Sequence, residues 1–100
     1  MANAMYPTGK KAILDGDVDL LVDTIKAALV DTGTSSYNAA HDFYDDISAG
    51  VVGTPVALGS KTTTAGVFDS ADVTWTSVSG ATVEAVVLYK DTGTPATSQL

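Results

Sequence analysis

Between Ile25 and Val30 the chain is apolar except for Lys26, and the run stops at Asp31-Thr32-Gly33-Thr34. The same order returns near the far end, where Val83 to Tyr89 is apolar except for Glu84 and leads through Lys90 into Asp91-Thr92-Gly93-Thr94. Each run predicts a β-strand, over 24–30 and 82–90, ending in a tight turn in which Asp bonds its own backbone and Gly supplies a positive φ. The second run is two residues longer, so alternation with period two keeps the faces in phase and lets Lys26 and Glu84 occupy matching faces. In the second strand Val83, Ala85, Val87 and Tyr89 point one way and Val86 and Leu88 the other. A strand apolar on both faces is either central in its sheet or covered by a partner. A single repeat is too little for a solenoid.

Elsewhere the pattern is weaker. Residues 6–16 predict a short helix, with Pro7 and Thr8 at its start, Gly16 at its stop, and Ile13 and Leu14 as its buried face. Residues 39–48 predict a second, because Ala40, Phe43, Tyr44 and Ile47 follow the i, i+3, i+4, i+7 spacing of one helical face while Asp42, Asp45 and Asp46 take the other. Val51-Val52 and Val56-Ala57-Leu58 predict a strand interrupted at Gly53-Thr54-Pro55, and Pro55 marks an edge or a bulge. Lys61 to Thr64 reads as an exposed strand. Residues 72–78 alternate, with Val73 and Trp75 on one face, and predict a hairpin with 82–90 through Ser79-Gly80. Thr97 to Leu100, just after a turn, reads as the lead-in to another strand, with a sheet edge there either open or covered by a partner. Together these elements predict a mainly β fold, an antiparallel β-sandwich or small barrel with two short helices. Residues 1–100 read as a single β-rich domain, with 1–5 as an N-terminal arm.

Composition narrows the function classes. Hydrophobic residues make up 45% of the 100 and charged residues 17%, a globular balance. No apolar run reaches the roughly 20 residues of a membrane helix, and no basic segment followed by an apolar one opens the chain, so neither a membrane partner nor a signal peptide is expected. The absence of cysteine excludes disulfides and thiolate chemistry. With a net charge of −7 and only five basic residues, the surface repels phosphate backbones, and no nucleic-acid partner is expected.

Three stretches carry candidate chemistry. Ala28-Leu29-Val30-Asp31-Thr32-Gly33-Thr34-Ser35 resembles the catalytic loop of aspartic proteases, whose chemistry needs two carboxylates sharing one proton. Asp31 and Asp91 together would give a pepsin-like pair, and Asp31 alone a dimer of viral type. Tyr37 and Lys90 depart from that family's pattern, and the alternative is a strand-ending turn. Asp15, Asp17 and Asp19 alternate like the opening of a calcium loop, but Leu20 and Lys26 stand where an EF-hand needs Gly and Glu. An irregular site with Asp23, or a solvated acidic turn, remains. His41, the one histidine, has Asp42, Asp45 and Asp46 nearby, and either a weak metal site or an exposed His paired with Asp45 fits. Trp75 and Tyr89 form either a binding platform or the core of the hairpin. None of these is assigned as a catalytic, cofactor or metal residue, no cofactor is expected, and a non-enzymatic role is expected.

Larger blocks carry a resemblance. They are Tyr6-Pro7 through Lys11-Ala12 to Asp17, Asp23 to Asp31, Ala39 to Tyr44 with Val51 to Pro55, Gly66 to Trp75, and Thr82 to Gly93. This pattern resembles a group of small structural proteins encoded among the virion genes of tailed bacteriophages. The resemblance implies a place in the virion, with other virion subunits (major capsid or tail proteins) or further copies of the chain as partners. Within that group it implies a head decoration or cement protein that stabilises joints between capsid subunits, with a tail or fibre component as the alternative. Members of the group run on with at least one further apolar strand, which makes strand exchange with a neighbour an expectation.

Overall fold

The computed structural model describes residues 3–76 and 78–100. Its centre is a three-stranded antiparallel sheet in the order β2-β1-β3, with β1 at Ile25–Val30, β2 at Val51–Ala57 and β3 at Ala85–Lys90. The two repeated strands are therefore direct neighbours. They pair without interruption from Ile25 opposite Lys90 to Val30 opposite Ala85. Antiparallel pairing sends the turn of each strand to the opposite end of the other. Lys26 on β1 accordingly meets Asp91 of the second turn, with Nζ 2.9 Å from Oδ2, and the Thr32 hydroxyl of the first turn donates to Glu84 just before β3 (2.8 Å). Each charge neighbouring one repeat is thus used by the turn of the other, rather than the two sharing a face.

β1 is the strand buried on both sides: Ile25, Ala27, Ala28 and Val30 are each at most 1% exposed. On one face Ala28, Val30 and Tyr89 meet Ile47 and Leu100, with Tyr6, Tyr44 and Val87 packed around them. The Tyr44 ring stacks on Tyr89, centroids 4.5 Å apart. Pro55 falls, as its sequence predicts, in an irregular stretch of an edge strand. The register between β1 and β2 shifts between Ala27 and Leu29, so Gly53-Thr54-Pro55 bulge opposite Ala28, with Gly53 at φ +74°.

One α-helix is present among the described residues, α1 at Pro7–Leu14. It does not bury Ile13 and Leu14. Leu14 is 86% exposed, and the buried positions are Gly9 and Ala12. Small residues win because the helix lies almost against the backbone of Leu100: a Cβ on Gly9 would stand closer than 3.0 Å to the Leu100 carbonyl oxygen.

The helix expected over 39–48 is instead two single 3-10 turns, Tyr44–Asp46 and Ser48–Gly50. The backbone groups that would build it have other partners. Tyr44 N–H donates to the Ser98 carbonyl (2.8 Å) and the Asp42 carbonyl accepts from Leu100 N–H (3.0 Å). The Asp46 carboxylate takes the Asp42 N–H (2.9 Å). Of the expected helical face, Ile47 alone is fully buried.

The hairpin of 72–78 with 82–90 does not form. Residues 72–76 and 78 hold no strand, and Ser77 lies outside the described residues. Thr74, Trp75 and Val78 lie beside β2 instead, lining a recess with Gly53 to Val56. The strand expected over 61–64 reduces to one bridge, Thr62 with Asp69. Nor is β3 central: it is an edge strand, and β1 holds the centre. The described fold is a small antiparallel sheet with one helix and four 3-10 turns.

Candidate functional site

The edge of β3 away from β1 is the feature with the capacity to bind. Asp91 N–H reaches the Thr24 carbonyl across the β1–β3 ladder (2.9 Å), while Lys90 N–H turns outward to the Gln99 carbonyl (2.8 Å). Alternation along an antiparallel strand then turns the N–H and C=O of Leu88 and Val86 outward as well. No backbone group among the described residues meets them. The side chains of the same two residues are 45% and 55% exposed.

A groove of about 720 Å³ follows this edge and is bordered by residues from both faces of β3. Met5, Tyr6, Tyr37, Val18, Leu20 and Phe68 border it together with Val87 and Leu88. Tyr6 and Tyr37 lie ring to ring at 5.0 Å, and the Tyr37 hydroxyl donates to the Met5 carbonyl (3.3 Å). An apolar groove with a row of unpaired backbone groups along one side suits an extended peptide strand. The sequence signal for it is the apolar character of both faces of 82–90; the part played by Met5, Tyr37 and Phe68 has no local signature.

The residues singled out for chemistry lie elsewhere. Asp31 and Asp91 end adjacent antiparallel strands, so their turns stand at opposite ends of the sheet, roughly 20 Å apart for six-residue strands. One chain does not bring the two carboxylates together. Each makes the same local turn: Asp31 accepts from Gly33 N–H (2.9 Å) and Asp91 from Gly93 N–H (3.0 Å). Gly93 takes a positive φ of +85°, as its turn role predicts, and Gly33 does not. The Gly33 N–H and the Thr34 hydroxyl hold the Asp31 carboxyl below the usual carboxylate range. For Asp91 the Lys26 ammonium is the larger cause, followed by Gly93 N–H.

The acidic turn is spent on itself and on lysines. Asp19 accepts from Leu21 and Val22 N–H, Asp23 accepts from Asp19 N–H (2.7 Å), and Lys90 Nζ lies 3.2 Å from Asp23 Oδ2. Asp15 pairs with Lys11. Among the described residues no three His, Asp or Glu side chains gather as a cation site. His41 lies with its ring 6.3 Å from Tyr6, and its Nδ1 is enclosed without a hydrogen-bond partner among the described residues. Tyr89 is core, and burial pushes its hydroxyl up to about 12. Trp75 sits beyond β2, across the sheet from Tyr89, so the two form neither a platform nor a shared hairpin core. Among the described residues no helix is long and apolar enough to cross a membrane.

Comparison with protein-family models, with curated proteins and with solved structures finds no match to this chain.

Proposed function

We propose that this chain is a non-enzymatic structural subunit of a bacteriophage virion, a head decoration or cement protein that joins capsid subunits by burying surface. The observation that carries the reading is the open β3 edge, where unpaired backbone groups and the exposed side chains of Val86 and Leu88 lie along an apolar groove. Such an edge is an aggregation hazard in a free protein unless something covers it, and covering it is what a subunit built for assembly does. The phage setting comes from the sequence resemblance. In the assembled state strands supplied at this edge extend the three-stranded sheet towards the antiparallel sandwich or barrel that the strand pattern predicts. With a net charge of −7, docking is guided by basic patches on the partner.

The test is co-expression with the capsid and tail proteins encoded alongside the chain, followed by gradient separation and mass spectrometry of heads and tails. Stoichiometric recovery in heads, with heads that melt at lower temperature when the chain is omitted, is the expected result. Recovery in tails alone moves the assignment to a tail or fibre component. Absence from both removes the virion reading.

A further inference from the structure

The Asp69 carboxylate lies against the backbone of the residue that follows it. Ser70 N–H donates to Asp69 Oδ1 at 2.8 Å. Among the described residues no other carboxylate accepts from its immediate successor. Asp31 and Asp91 reach two residues on, to Gly33 and Gly93. Asp19 takes the Leu21 and Val22 N–H groups, and Asp23 and Asp46 reach back to Asp19 and Asp42. Only Cβ, Cα and the carbonyl carbon separate Asp69 Cγ from the Ser70 nitrogen. A carboxyl oxygen held at hydrogen-bond distance from that nitrogen therefore keeps Cγ beside it too. This is the rotamer from which a cyclic imide closes, and holding reacting groups in such an arrangement raises the rate of their reaction.

The surrounding backbone fixes the pair in place. Asp69 and Thr62 exchange both of their N–H to carbonyl bonds, each 2.9 Å, and Ala71 N–H donates to the Gly59 carbonyl (2.8 Å). Ser70 thus sits between two anchored residues, and Asp69 is exposed to water. The follower is also unhindered. Ser70 carries a single small group on Cβ, whereas Thr32 and Thr92, after Asp31 and Asp91, are β-branched and crowd their own backbone. By sequence the least hindered acid is Asp15, which precedes Gly16. The fold occupies both of its reacting groups. Lys11 holds the Asp15 carboxylate, and Gly16 N–H donates to the Ile13 carbonyl (3.2 Å) at the end of α1.

We infer that the Asp69–Ser70 bond is a site of spontaneous covalent modification, at which the chain converts its own aspartate to isoaspartate through a cyclic imide. The Ser70 backbone nitrogen attacks Cγ of the Asp69 carboxylic acid. A bond forms between them, the nitrogen gives up its proton, and one carboxyl oxygen leaves as water. Water then reopens the ring. Cleavage between nitrogen and Cγ restores aspartate, and cleavage between nitrogen and the α-carbonyl carbon leaves the chain running through the former side-chain carboxyl. Water is the one co-reactant, and nothing is oxidised or reduced. The isoaspartyl link adds a carbon to the backbone between the residue held by Thr62 and the residue held by Gly59, so the two anchors no longer fit together. Phe68, which borders the groove beside β3, is the residue next to the altered link.

The test is to age the full chain in mildly acidic buffer, folded and in denaturing urea, and to follow isoaspartate by peptide mapping. An isoaspartyl peptide keeps its mass, shifts in retention and is labelled by an isoaspartyl methyltransferase. In the folded chain isoaspartate is expected at Asp69 ahead of Asp15. In urea the order is expected to reverse, because the unhindered Gly16 then decides it. Asp69 is expected to react faster in the folded chain than in the unfolded one. Ser70→Val, which crowds the attacking nitrogen, is expected to slow Asp69 in the folded chain and leave Asp15 unchanged, with circular dichroism to check the fold. A folded chain that isomerises first at Asp15 overturns the inference. So does an Asp69 no faster folded than unfolded, a comparison that needs no variant, or a folded Ser70→Val chain that reacts at the wild-type rate.

Discussion

Gly9→Ala separates two opposite expectations. On helix propensity alone, replacing this Gly in the first turn of α1 by Ala stabilises by at most about 0.8–1 kcal/mol. The position of α1 reverses the sign. The added Cβ would lie closer than 3.0 Å to the Leu100 carbonyl oxygen, where ordinary contact begins at 3.4 Å. One of the two must recede by roughly 0.5 Å or more in a close-packed interior. The near neighbours of the new atom are backbone, which has no rotamer to yield. Moving the 98–100 segment strains the Leu100 N–H bond to Asp42 and the Lys90 N–H bond to Gln99, each contributing about 0.5–1.5 kcal/mol. It also loosens Leu100, now 7% exposed, whose full burial is worth about 1.5–3 kcal/mol. Partial loss of these, set against the propensity gain, leaves a net destabilisation of about 1–3 kcal/mol, the usual range for overpacking. Urea unfolding followed by circular dichroism reads it as a lower midpoint with unchanged slope, with Lys10→Ala on the exposed side of α1 as a near-neutral control. A Gly9→Ala chain as stable as wild type, or more so, would refute the close approach of α1 to the 98–100 segment.

Acid should destabilise the fold in a defined window. The carboxyls of Asp23, Asp31, Asp46 and Asp91 are all held below their ordinary value, chiefly by backbone N–H groups for the first three and by Lys26 for Asp91. A depressed folded pKa gives stability that is present above the unfolded value of about 3.9 and lost as pH falls through the folded one. The melting temperature is expected to be level from about pH 7 to 5 and to drop below about 4, and a drop beginning near pH 6 contradicts this. At the alkaline end Tyr89, pushed up to about 12 by burial, contributes stability that is lost between its unfolded value of 10.0 and its folded one; the sign is that of a group whose neutral form the fold favours, so ionisation at high pH opposes folding. Tyr89→Phe should flatten the decline over that interval. Asp91→Asn removes the charge facing Lys26 while keeping an oxygen for Gly93 N–H, and should cost about 1 kcal/mol. Asp91→Ala removes both and should cost about 1 kcal/mol more; equal losses in thermal melts of the two variants would mean that the turn bond contributes nothing.

The strands were legible where burial is two-sided. Ile25 to Val30 and Ala85 to Lys90 read as strands because almost every position is apolar, and β2 read as an interrupted edge because Gly53 and Pro55 sit inside it. Pairing was not legible. The alternation of Val73 and Trp75 invites a hairpin with the next strand, but β3 pairs with β1, and that choice depends on surfaces distant in sequence. The 39–48 segment shows the same limit in another form. Its apolar spacing is helical, yet its donors and acceptors are taken up by Ser98 and Leu100, contacts that no local window contains. The binding groove was half legible. Apolar side chains on both faces of 82–90 announced a strand either central or covered by a partner, and only the three-dimensional arrangement shows that it is an edge strand whose outward N–H and C=O at Val86 and Leu88 meet no described backbone group.

The adjacency of the two repeated strands governs how the molecule is made. β1 is shielded on one side by a strand whose turn lies 60 positions further along, Asp91 after Asp31. At a synthesis rate of about 5–20 residues per second, that partner follows roughly 3–12 s later, whereas a local hairpin closes in about 1–10 μs. For that interval the most apolar strand of the chain has one open side on the ribosome. The high sequence separation of its contacts places this fold among the slower folders of its size. The moment of greatest exposure in the life of the chain therefore comes before β3 exists.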